Sequence, residues 1–264
     1  MDSGLPIYFS VTRGNIYGIK ATFDGHGHTI CNGYALKSSY FQGYFQGLFR
    51  SLKGGYIKDL VVRDYHVIGD GGILDDTYAG IICGQASPDW YIDQNTNTRV
   101  YIGCKFEGIR VIDCTITGAA TCVGGIIGFA TEDPSVAGKY YENGKAIIVD
   151  NEARVQCINC LVMNCNISTT DNIAGGIIGK ATLANIEGNR VINTTVKGED
   201  DYAGALLGTD KSVIFRDKDS YSNQAQINFK DNLVLNCSVS GEDEIGGAIG
   251  RSFPRLLPGH GCQC

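Results

Sequence analysis

The chain of 264 residues carries eleven cysteines and four histidines, the side chains best suited to redox or metal chemistry. The cysteines stand at 31, 83, 104, 114, 122, 157, 160, 165, 237, 262 and 264. Cys157, Cys160 and Cys165 have half the spacing of a zinc site. A second Cys-x-x-Cys is missing, so only the distant Cys262 and Cys264 would complete four ligands, and a metal is not expected. An odd count points to a free thiol or, in an oxidising setting, to an intermolecular disulfide through Cys262 or Cys264. His26 and His28, two apart in DGHGHT, would share one face of a strand. Acids recur in GEDDY (198–202), GEDEI (241–245) and TTDNI (169–173). Stacked, these oxygens suit calcium. The alternative, which the reading favours, is a solvated acidic edge that discourages sideways strand pairing.

No constellation for catalysis emerges. Polysaccharide lyases and hydrolases need convergent carboxylates with a base or a cation site on one face. Here acids concentrate in turns and bases are scattered, with no Ser-His-Asp set, phosphate loop or dinucleotide fingerprint. No cofactor is expected.

What must position these residues is legible in the composition. Glycine supplies 36 residues and proline only 5. With 43% hydrophobic and 19% charged residues, bulk disorder is excluded. A net charge of −6 without a basic run disfavours nucleic acid as a partner. No apolar stretch approaches membrane-spanning length. The segment MDSGLPIYFSVTRGN has no basic region followed by an apolar run, so it does not read as a secretory leader.

Repetition decides the architecture. One block reads LVVRDYHVIG from Leu60, RVIDCTITG from Arg110, LVMNCNIST from Leu161, RVINTTVKG from Arg190 and LVLNCSVSG from Leu233. A second follows each: YAGIICG from Tyr78, CVGGIIG from Cys122, IAGGIIG from Ile173, YAGALLG from Tyr202 and IGGAIG from Ile245. The anchor glycines are read as Gly80, Gly124, Gly175, Gly204 and Gly247, and the shortest interval, 29 residues, marks the bare unit. Period-2 alternation, as in Ile112, Cys114 and Ile116, predicts strands with one buried face. Val62, Ile112, Met163, Ile192 and Leu235 are expected in one interior column, with Arg63 an extra, bulged residue. Units that cannot bury their own face must stack. The expectation is an all-β, right-handed parallel β-helix over residues 1–250, capped by about 1–20 and followed by a tail at 251–264. Cys114, Cys165 and Cys237 then share one ladder position with Thr194 and Tyr65. Strand spacing exceeds the Cβ separation a disulfide prefers, so they read as free buried thiols.

Insertions near 85–105, 129–156 and 209–228 leave the repeat at one corner and should lie along one side. Trp90, Tyr91, Tyr101, Tyr140, Tyr141 and Tyr221 form a candidate polar aromatic surface for glycan or protein. Equally, each ring pins its own loop. Phe253, Leu256 and Leu257 are expected at a homomeric or fibre contact. Asn166, Asn193 and Asn236 lie in N-x-S/T sequons, the latter two on the outward parity.

ATFDGHGHTICNGY (21–34) and FQGLFRSLKGGYIKDLVV (45–62) resemble the FDGNGHTI, GLFG and G-x-I-x-NL elements of GLUG-type repeats in bacterial adhesin-like proteins. The similarity covers roughly residues 16–250, with Ser51 in place of a later glycine and an unusual cysteine content as departures. Asparagine commonly occupies the His26 position there, which favours turn chemistry over a metal pair. The resemblance implies a right-handed β-helix, surface display, and adhesion or fibre structure. It brings no catalytic residues. The function expected is a non-catalytic structural or adhesive scaffold, at an extracellular surface or in an assembled particle, with a homo-oligomer, fibre or shell as partner. The alternative is a carbohydrate-active enzyme or a glycan-binding module.

Overall fold

Each repeat contributes strands to four faces, and on every face the strands pair in parallel with the repeats before and after. The computed structural model describes residues 21–35, 45–69, 77–131, 141–142, 145–146, 154–210, 214–217, 220–223 and 227–251. The first face comprises Ala21–Asp24, Gly55–Lys58, Cys104–Glu107, Val155–Ile158, Ala184–Glu187 and Ile227–Lys230. The third runs from Phe45–Gln46 to Glu244–Gly246 and the fourth from Phe49–Lys53 to Ile249–Arg251, each with six strands. The second face starts with Thr29–Ala35 and Val61–Gly69, then continues as paired short strands such as Arg110–Ile112 and Thr115–Gly118. The described residues are all-β, and stacked parallel sheets of this kind are consistent with a β-helix.

The second face bends at one residue per rung. Asn32, Asp64, Asp113, Asn164, Asn193 and Asn236 all have φ between 49° and 56°. Most L-residues lose about 1–2 kcal/mol there, whereas Asn and Asp tolerate it through local hydrogen bonding. This residue consumes one position and shifts the alternation. Val111 points inward before the bend, and Cys114 and Ile116 point inward after it; all three are fully buried.

The shift corrects the expected interior column. Ile112, Met163, Ile192 and Leu235 do stand in register, but their partner in the earlier rung is Arg63, not Val62. The interior column is Val62, Val111, Val162 and Val191, all at 0% exposure, and it ends on Val234. Arg63 is therefore no bulge. Asp64 occupies the bend as Asp113 does, and Tyr65, His66 and Val67 follow without an inserted residue. Nor is there one strand per repeat, because each repeat gives strands to all four faces and, from Arg110 onward, the bend divides the block.

A corner glycine column joins the third face to the fourth. A Cβ on Gly175 would fall 1.8 Å from the Ile178 carbonyl oxygen. In the last rung the register pairs Gly204 with Gly246, so the anchor there is Gly246 and not Gly247. The stretch between Val239 and that corner is one residue shorter than its counterpart after Val196.

Inside lie Ile57, Phe106, Cys157 and Ile186 from the first face, and Val67, Ile116, Ile167 and Val196 from the second, each at 1% exposure or less. Burying a side chain of this size stabilises by roughly 1.5–3 kcal/mol, which makes these columns the main source of cohesion.

Candidate interaction surface

The thiols are absorbed by the scaffold. Cys114, Cys165 and Cys237 follow the bend residue with Thr194 in the same column, as expected. Each reaches the carbonyl two residues back: Cys114 Sγ to Ile112 at 3.1 Å, Cys165 Sγ to Met163 at 3.2 Å, Cys237 Sγ to Leu235 at 3.4 Å. Thr194 Oγ1 donates to Ile192 in the same way, at 2.9 Å. Cysteine and threonine are interchangeable here as small inward donors. No described cysteine is in a disulfide. Burial pushes the Cys104 and Cys160 thiols up to about 12 and raises those of Cys83 and Cys157 as well, so all four are protonated near neutral pH. Cys262 and Cys264 lie outside the described residues.

His26 and His28 do not share a strand face, correcting that expectation. His26 sits in a turn with φ 46°, its backbone N–H donating to Asp24 Oδ1 at 2.9 Å. Among the described residues no group of three or more His, Cys, Asp or Glu is arranged to hold a metal ion.

The acidic turns do converge. Burial raises the Asp201 carboxyl above its usual range, and the charges of Asp243, Asp200 and Asp171 add to the rise. The backbone joins neighbouring rungs here, Glu199 N donating to Asp171 O at 3.1 Å and Glu244 N to Asp201 O at 3.1 Å.

Outward polar residues also form ladders that run from rung to rung. Asn164 Nδ2 donates to Asp113 Oδ1 at 3.1 Å, and Asn193 Nδ2 donates to Asn164 Oδ1 at 3.2 Å. Sequence reasoning had placed these residues outside but missed their bend. Recurrence of Asn or Asp at one repeat position was the available signal. On the first face, Lys58 Nζ pairs with Asp24 Oδ2 at 2.7 Å and Lys230 Nζ with Glu187 Oε1 at 2.6 Å. Between them the Tyr56 hydroxyl donates to Glu107, whose carboxyl also meets Lys105 Nζ at 2.7 Å. The Lys105 ammonium, then the Tyr56 hydroxyl, hold Glu107 below the usual carboxylate range; that hydrogen bond raises Tyr56 to about 12.

The three insertions fall between a fourth-face strand and the next first-face strand, so they share a corner as expected. Each contains an antiparallel pair: Asp89–Asp93 with Thr98–Ile102, Tyr141–Glu142 with Lys145–Ala146, and Ile214–Asp217 with Ser220–Asn223. Trp90 and Tyr101 are Cα partners in the first pair, and Tyr91 is 45% exposed. Tyr141 and Tyr221 lie in strands of the other two. Tyr140, Phe253, Leu256 and Leu257 lie outside the described residues.

No helix among the described residues is long and apolar enough to cross a membrane. No protein-family model, no curated protein and no solved structure matches the chain.

Proposed function

We propose that this protein is a non-catalytic structural or adhesive β-solenoid of right-handed parallel β-helix type, related to GLUG-type repeats. In this reading it is a subunit of a surface fibre, filament or particle shell, at an extracellular surface or in an assembled particle. One observation carries it: side chains able to do chemistry recur at fixed repeat positions, where they serve the scaffold. Cysteine alternates with threonine as an inward donor behind the bend. Asn and Asp recur at the bend itself. A catalytic residue is expected once, at one site, whereas these appear rung after rung.

The hairpin corner favours a second role in the same assembly, contact with a glycan or protein. Its support is the shared corner and exposed Tyr91. Incubation with a panel of acidic and neutral polysaccharides should yield no new reducing ends or unsaturated products. Turnover that disappears on replacing one Asp or Glu would overturn the proposal in favour of a carbohydrate-active enzyme.

A further inference from the structure

The two ends of the stack are complementary. Among the described residues the same first-face column begins with Asp24, passes through Lys58, Glu107, Ile158 and Glu187, and ends with Lys230. A carboxylate therefore stands at one end and an ammonium at the other. Each end residue is paired inward, Asp24 with Lys58 and Lys230 with Glu187. Continuing the register past the last rung brings Lys230 against Asp24 of another copy, and the order Glu187, Lys230, Asp24, Lys58 alternates in sign throughout.

Other columns close in the same way. The interior first-face column begins and ends with phenylalanine, Phe23 and Phe229, both half-buried, while Phe106 between them is fully buried. The interior second-face column begins with Ile30 and ends with Val234, likewise half-buried against fully buried Val111 and Val162. In the bend column two amides donate to the preceding rung, Asn193 to Asn164 and Asn164 to Asp113. Asn32 of a following copy would continue that direction by donating to Asn236.

We propose that a second copy of this chain docks its first rung on the last rung, extending the four parallel sheets head to tail. This rests on reading the chain as an assembly subunit and names the surface that joins subunits. Opposite polarity is disfavoured. Two last rungs face to face would take Lys230 away from Asp24 and break the column register, and the strands would no longer run parallel. A head-to-tail joint uses two different surfaces, so it propagates into a filament instead of closing as a dimer.

The test is sedimentation velocity with electron microscopy on the full chain, over a range of concentration and salt. The wild type is expected to form linear, concentration-dependent assemblies. Lys230→Glu and Asp24→Lys should each weaken association at least about tenfold, because each sets like charges against one another at the joint. The double variant Asp24→Lys/Lys230→Glu again sets opposite charges against one another across the joint, though each now faces a like charge within its own copy, and should recover assembly relative to either single variant. Lys197→Glu, the same charge change within the stack, should leave assembly intact, and thermal melts confirm that each variant folds. If Lys230→Glu fails to fold, Lys230→Ala takes its place, with a smaller loss expected. A wild type that stays monomeric at high concentration overturns the joint. Assemblies indifferent to both single variants also overturn it, while leaving the subunit reading intact. Polysaccharide turnover in the preceding assay overturns the subunit reading itself.

Discussion

Rungs inside the stack and rungs at its ends carry the same repeat but differ in how well they are covered. In the third-face column Ala79, Val123, Ala174 and Ala203 are at most 1% exposed, whereas Ile245 at the end is 45% exposed. In the second-face column Val67, Ile116, Ile167 and Val196 are fully buried, whereas Val239 is half-buried. The larger side chain at position 245 does not bury itself, because burial in a stacked architecture comes from the next rung. Stability should therefore be concentrated in the middle and thin at the ends.

Glycine gives the largest expected contrast. Gly176 and Gly247 belong to one column, but a Cβ on Gly176 would fall 1.9 Å from the Ala205 carbonyl oxygen, whereas nothing lies within 4 Å of one on Gly247. Gly176→Ala should cost at least about 3 kcal/mol, since backbone must move, while Gly247→Ala should stay within about 0.5 kcal/mol. Urea unfolding measures both, and equal costs would break the comparison.

The next contrast is apolar truncation. Ile167→Ala should cost about 2–5 kcal/mol and Val239→Ala under about 1 kcal/mol, because only the first leaves a cavity closed on both sides. Ile192, once assigned to the interior, is half-exposed and should cost less than Ile167 on truncation. A chain whose last rung is covered by a partner would raise the Val239 value, so repeating this measurement in the assembled form sharpens the comparison.

Smallest is the pH response of the outward ladder. The raised Tyr56 hydroxyl contributes stability that is present below pH 10 and lost as pH rises through about 12. Lowered Glu107 contributes stability that is present above pH 4.5 and lost as pH falls through its lower folded value. Tyr56→Phe should flatten the alkaline limb, while Asp24→Asn at the end should remove only the smaller share that its ion pair gives the raised Lys58 ammonium; denaturant midpoints across pH read both.

Much of this was legible in the residues. The repeat blocks from Leu60 to Gly250 marked the rungs, and hydrophobic alternation marked the strands. The corner carrying the insertions followed from where the repeat was interrupted. The column of Cys114, Cys165, Thr194 and Cys237 also followed, because residues after a fixed bend keep their phase. Residues before the bend did not. Reading backwards from Cys114 in steps of two lands on Ile112, which is itself 4% exposed, whereas the member of the fully buried valine column is Val111.

The sequence by itself determined a repeated, glycine-cornered, strand-rich chain, since local periodicity and turn chemistry act within a few residues. Only the tertiary structure decided the register. A left-handed residue between two strands shifts the inward face by one position, and the local tolerance of Asn and Asp for that conformation does not by itself select which of them adopts it. Hydrogen bonds from the rungs on either side select it, placing Asp64 beside Asp113 and Gly246 beside Gly204. The same dependence on neighbours makes Val191 core and leaves Val234, in the same column, at the edge.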